Sequence, residues 1–144
     1  MTSEEFQQQY PACVAIPVQW GEQDGFGHVN NAVFIRWFES ARIQFIQLID
    51  VPLTTKGVGP ILAAVNCNFK FQVKYPDTIL SGARVTKIGN SSLAIQHAIY
   101  SSAQSQIVAN GDSTVVMFDY QNQKSSKIEG PVRDRIERFL PKST

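Results

Sequence analysis

The sequence predicts an α+β fold: a five-stranded antiparallel sheet wrapped around one long central helix. Three observations carry that expectation. The segment from Asn31 to about Ile49 is helical in pattern and apolar nearly all the way round, so it belongs inside something. Residues 65–75 alternate apolar and polar, the mark of a strand with one wet face. Three more strand-like segments follow, separated by turn residues and by no second long helix.

The elements follow in order. Residues 13–20 (Cys-Val-Ala-Ile-Pro-Val-Gln-Trp) read as a first strand, and Pro17, which cannot donate to a ladder, directs it to an edge or a bulge. Asp24-Gly25 and Phe26-Gly27 are turn signals. Asn30 or Asn31 can cap the helix, because the Asn amide oxygen accepts from an orphan N–H. Pro52 ends it by disfavouring helix at the residue before. In the 65–75 strand, Val65, Cys67, Phe69, Phe71, Val73 and Tyr75 share the face expected to cover the helix. Pro76-Asp77 is a turn. Residues 79–88 and 92–100 form a hairpin through Gly89-Asn90-Ser91, with Leu93, Ile95, His97 and Ile99 on one face. His97 is therefore expected in the core or an interface. Residues 106–119 make the last strand, with Gly111 expected to mark a bulge. Pro131 fits the first position of a short helix reaching about residue 140, with Val132, Ile136 and Phe139 or Leu140 facing inward and Arg133, Arg135 and Arg138 solvated.

The 144 residues suit one domain with a real core, expected over 1–144 and centred on about 13–120. A charged fraction of 17% beside 43% hydrophobic residues marks a globular chain. A formal net charge of +1 argues against a nucleic-acid binder. No apolar run approaches the roughly 20 residues that span a bilayer, and Met-Thr-Ser-Glu-Glu-Phe does not read as a signal peptide, so a cytoplasmic protein with no membrane partner is expected. Cys13 and Cys67 have no metal-ligand spacing and read as thiols in a reducing compartment. No metal or cofactor is expected. A five-stranded sheet leaves edges and a partly uncovered helix, which a second subunit would cover.

The most informative stretch is Trp20-Gly-Glu-Gln-Asp24-Gly-Phe-Gly-His28-Val-Asn30-Asn31. A turn carrying a carboxylate and an imidazole runs straight into a helix start. Helix N-termini offer unpaired N–H donors and about half a positive charge. Such a site can polarise a carbonyl and attack it. Glu39 and Arg42, three apart on the helix, are placed to pair.

Asp24-Gly-Phe-Gly27-His28-Val29-Asn30-Asn31, followed by Phe34, Trp37, Glu39 and Ala41-Arg42, resembles the motif of hot-dog-fold thioesterases, in particular the 4-hydroxybenzoyl-CoA thioesterase branch with its acyl-CoA thioester hydrolases. The resemblance implies hydrolysis of an acyl-CoA or acyl-carrier thioester. It implies Asp24 as nucleophile or general base and the backbone N–H near Asn31 as oxyanion donor, at an active site on the interface of a homodimer or homotetramer. His28 would orient water or substrate, or brace the loop. Asn30, Phe34, Phe38 and Phe69, with Phe71, would line the substrate site, and Asn90, Ser91 and Ser92 would meet the coenzyme A portion. The partner is then a small-molecule acyl-CoA or an acyl carrier protein. Two other readings fit the same stretch: an enoyl-thioester hydratase or dehydratase using His28, and a non-catalytic acyl-CoA binding module.

Overall fold

The computed structural model describes residues 1–141, so the last three positions of the expected 1–144 domain lie outside the described residues. The element order is α1 (Ser3–Gln9), β1 (Ala12–Pro17), α2 (Asn31–Leu48), β2 (Val58–Phe69), β3 (Thr78–Ile88), β4 (Ser92–Ser101), β5 (Gln106–Asp119), β6 (Lys124–Ser125) and α3 (Pro131–Glu137). The strands form one antiparallel sheet in the order β1-β3-β4-β5-β2. The two-residue β6, absent from the sequence reading, adds to β5 beyond the end of β4 and makes the sheet six-stranded.

α2 starts where its cap dictates. The Asn30 side chain accepts from the Ala32 N–H at 2.9 Å, and Asn30 keeps extended backbone. Val33, Phe34, Trp37, Phe38, Ala41, Phe45 and Ile46 are buried against the sheet. Burial is not complete: Ile43 (36%) and Leu48 (45%) remain exposed. Two of the three apolar clusters of the core lie between α2 and the sheet. One joins the first half of α2 (Val33, Phe34, Trp37, Phe38) to Ile79, Ile99 and Val108. The other joins its second half (Ala41, Phe45, Ile46) to Val85, Ile95, Val115 and Ile136. Between them runs a row of buried polar side chains: Arg42 on α2, Ser81 on β3, His97 on β4 and Ser113 on β5. His97 Nε2 lies 2.8 Å from Ser113 Oγ, and Ser81 Oγ donates to the Trp37 carbonyl at 2.7 Å.

α1 was not expected; Thr2 Oγ1 caps it, and Phe6 docks with Tyr10 on Leu80, Ala98 and Tyr100. The first strand stops at Pro17, because Trp20–Glu22 turn into a 3₁₀ helix. The strand expected at 65–75 is instead Val58–Phe69. It begins earlier because Gly59 and Pro60 fit an edge strand, and it ends when the Lys70 and Phe71 N–H groups both turn to the Val108 carbonyl. Its apolar side chains cover α2 only in part: Phe69 meets Phe34 and Cys67 packs on the α2 cluster, whereas Ile61, Leu62, Val65 and much of Phe69 stand exposed along a free sheet edge. Gly111 marks a close approach and no bulge: it pairs in register with Cys67 and His97, and a Cβ there would overlap the Asn66 carbonyl oxygen. Two tail arginines are not solvated. Arg133 donates to the Gly89 and Ile128 carbonyls, and Arg135 to the Ile49 carbonyl at 2.8 Å, where it caps α2.

Candidate active site

The loop from Gln23 to Asn30 is tied down at both ends. Val29 N–H donates to the Val73 carbonyl at 2.8 Å, Asn30 N–H to the Glu22 carbonyl at 2.9 Å, and Tyr75 N–H to Gln23 Oε1 at 3.1 Å. Within it Asp24 closes a turn: its carbonyl accepts from Gly27, whose φ of +83° suits glycine, and its N–H donates to the His28 carbonyl. Asp24 Oδ1 accepts from the Phe26 N–H at 2.8 Å. Oδ2 takes no hydrogen bond among the described residues and is left for other work. Half the carboxylate thus holds the loop, and half is free.

The loop delivers the chain to the start of α2. There the Ala32 N–H is satisfied by the Asn30 side chain and the Val33 N–H by the Asn30 carbonyl at 2.9 Å. The Asn31 N–H has no partner among the described residues. Beside it opens a cavity of about 120 Å³ lined by His28, Val29, Asn31, Phe34, Phe69, Lys70, Phe71 and Gln72. Phe34 meets Phe69 edge-on at 5.3 Å, which gives the cavity an aromatic wall. His28 Nδ1 sits 3.2 Å from the Val29 carbonyl oxygen; that oxygen can only accept, so the proton belongs on Nδ1 and the Nε2 lone pair is free. A preorganised N–H at the positive end of a helix, next to an aromatic slot and two acid–base side chains, can bind and polarise a carbonyl.

Of the residues singled out from sequence, the structure brings His28, Asn31, Phe34 and Phe69 together on this wall. Asp24 stands on the adjoining loop, and Asn30 acts as the cap. Phe38 is a core residue, not a wall residue: it is fully buried and its ring stacks on His97 at 4.5 Å. Asn90, Ser91 and Ser92 lie at the opposite end of the sheet, beyond the far end of α2, whose 18 residues span about 27 Å. There the Asn90 and Ser91 carbonyls accept from Ile128 and Met117 and hold the C-terminal segment. Lys70 and Gln72 reach the wall although their alternation had assigned them to the wet face of a strand. The chain has left the sheet at that point, and nothing in the local pattern signals it.

Arg42 is buried beside Glu39, 3.9 Å away, and burial lowers its pKa. His97 is held neutral, its pKa pushed down to about 3 by burial and then by the Arg42 charge. Burial raises the Cys67 thiol to about 11. Among the described residues no cluster of three metal-ligating side chains occurs, and no helix is long and apolar enough to cross a membrane.

A curled antiparallel sheet around one helix is the hot-dog fold of the thioesterases. The chain belongs to the thioesterase-like superfamily, whose sequence model matches residues 18–136. It is similar to the long-chain acyl-CoA thioesterase FadM of Escherichia coli K12, with 24% identity over 127 residues, 87% of this chain and 96% of that one. Among solved structures it resembles a thioesterase from Thermus thermophilus, complexed with coenzyme A and Zn. The TM-score is 0.78 at 27% identity over 88% of this chain and 98% of that one. A thioesterase superfamily protein from Jannaschia shares the fold at a TM-score of 0.82 and 20% identity, covering 94% and 90% of the two chains.

Proposed function

We propose that the protein hydrolyses an acyl-CoA thioester, or the same thioester on an acyl carrier protein, to a free acid and a thiol. The observation that carries this reading is the unpaired Asn31 N–H at the start of α2, on the wall of an aromatic cavity and next to the Asp24 loop. The thioester carbonyl oxygen accepts from that N–H, and the acyl group lies along Phe34 and Phe69. Asp24 Oδ2 then either attacks the carbonyl carbon or takes a proton from a water that does. The C–S bond breaks, the thiolate leaves and picks up a proton, and the acid remains. In the nucleophilic route the acyl–aspartyl anhydride is cleaved by water in a second step. His28 orients the attacking water. The FadM likeness supports the acyl-CoA substrate.

The functional unit is a homodimer, or a tetramer of two such pairs, with the site at the subunit interface. Its support is the free edge of β2, where Ile61, Leu62, Val65 and Phe69 are uncovered. Two β2 edges paired antiparallel about a two-fold axis would cover these side chains, and Phe69 on the cavity wall would meet the partner.

One observation favours a second reading. His28 lines the cavity while Asp24 does not, which suits hydration of an enoyl thioester by His28. The two readings separate in one assay: free-thiol release from short, long and aromatic acyl-CoAs, wild type against Asp24→Asn. Hydrolysis predicts release, reduced by about 10²- to 10⁴-fold in the variant. Water addition with no thiol released supports the hydratase, and equal release from both proteins removes Asp24 from the mechanism.

A further inference from the structure

Arg42 is the one buried arginine among the described residues, and no acceptor reaches it. Arg84, Arg133 and Arg135, all less buried, each donate hydrogen bonds: to Gln96, to the Gly89 and Ile128 carbonyls, and to the Ile49 carbonyl. The Arg42 side chain is only 8% exposed. Its Nη1 is enclosed with no hydrogen-bond partner. Its Nη2 stands 3.9 Å from Glu39, beyond hydrogen-bond reach, and that carboxylate is itself 66% exposed. A guanidinium taken out of water without acceptors is costly. Its charge is felt in the core, where it helps to hold His97 neutral.

The same side chain lines a cavity of about 180 Å³ between the second half of α2 and the start of β2. The floor is apolar and buried, made by Ile46 and Val115. Ile43, Leu62 and Glu39, all partly exposed, stand at the mouth. At ~30 Å³ for a water-sized group the space takes about six such groups, enough for a carboxylate with a short alkyl tail. This cavity shares no lining residue with the one at the helix start, and Arg42 lies about 16 Å along α2 from Asn31.

We propose that the Arg42 cavity is a second ligand site, which takes a monocarboxylate with a short apolar tail. The carboxylate accepts from the guanidinium, and the tail lies on Ile46 and Val115. A neutral ligand would leave the guanidinium without a counter-charge, and a free inorganic anion would leave the apolar floor uncovered. The inference stands apart from the hydrolysis reading, because its readout is binding. The acid that the proposed hydrolysis releases belongs to the same chemical class.

The test is calorimetric titration of the wild-type protein at neutral pH with hexanoate and with hexanamide, which keeps the tail and removes the charge. Hexanoate is expected to bind saturably and hexanamide not. Arg42→Gln should weaken hexanoate binding at least about tenfold. Ile43→Trp fills the mouth from an exposed position and should also weaken it, so a poorly folded Arg42→Gln does not end the test. Glu39→Gln removes the rival acceptor and should bind at least as tightly as wild type. No saturable binding, equal binding of the amide, or weaker binding in Glu39→Gln overturns the proposal. So does hexanoate binding that survives Arg42→Gln and Ile43→Trp and is lost in Asn31→Pro, which puts the acid at the helix start. An Arg42→Gln protein that changes its assembly state while binding hexanoate as wild type does assigns the guanidinium to a subunit contact and overturns it as well.

Discussion

The oxyanion donor proposed at the start of α2 is a backbone group, and a proline can delete it cleanly. Asn31 is the first helical residue, the position where proline is best tolerated. The preceding residue already suits it: Asn30 has φ −62° and ψ 139°, the extended backbone that proline imposes on its neighbour. The Asn31 N–H makes no hydrogen bond among the described residues, so its removal breaks none in the fold. Asn31→Pro should therefore unfold within about 0.5 kcal/mol of wild type. Its chemistry should suffer: losing one preorganised donor costs ~3 kcal/mol of barrier, or roughly 10²-fold in kcat. Asn31→Ala, which keeps the N–H, should stay within a few-fold of wild type. The assay is single-turnover thiol release from a saturating acyl-CoA, with urea unfolding run on the same samples. A folded proline variant that turns over at the wild-type rate would refute the assignment of the donor.

Three further expectations follow from the core. His97 is neutral in the fold with its pKa at about 3, while an unfolded histidine titrates near 6.5, so below pH 6.5 the unfolded chain binds the extra proton. Stability from this group is complete above pH 6.5, falls by up to ~1.4 kcal/mol per unit below it, and is down by about 2 kcal/mol at pH 5. Urea unfolding from pH 7 to 5 should show a shallower slope in His97→Gln, and equal slopes would contradict the reading. Gly111→Ala should destabilise by about 3 kcal/mol, because the new Cβ meets the Asn66 carbonyl and the Phe38 ring; calorimetry of the variant measures it. Cys67, with its thiol raised to about 11, should react with a disulfide reagent at pH 8 about 100-fold more slowly than an ordinary cysteine, read by its absorbance release.

The parts of this molecule legible in the sequence are those where local chemistry and tertiary packing agree. α2 was readable from its cap and its unbroken apolar pattern, and the Gly89–Ser92 hairpin from its turn residues. The helix-start motif was readable because loop, cap and site occupy one continuous stretch. β2 was misplaced by alternation that is real in the sequence but serves two purposes. Val65 and Phe69 decorate an edge strand, whereas Val73 packs under the site loop after the chain has left the sheet. Period-2 spacing does not distinguish those uses. α1 escaped notice because Ser-Glu-Glu-Phe-Gln-Gln-Gln has one apolar residue, Phe6, and its helix is defined by docking on β3. Phe38 shares the helix face of Phe34, but it sits one turn, about 6 Å, further along α2, and that rise carries it past the cavity onto His97. Lys70 and Gln72 reach the cavity only through a tertiary path.

The polar row across the middle of the core acts on alignment. Arg42, Ser81, His97 and Ser113 sit where the two apolar clusters meet, one on each of four adjacent elements. A purely apolar helix could slide along a purely apolar sheet and find another acceptable packing about 5.4 Å away, one turn further on. Here such a slip would drive the guanidinium among Ile and Val side chains, take the Trp37 carbonyl from Ser81 and unstack Phe38 from His97, so the helix has one resting place. That fixed index matters at the far end: it decides where the first turn of α2, and the N–H it leaves unspent, comes to lie against the loop of Asp24.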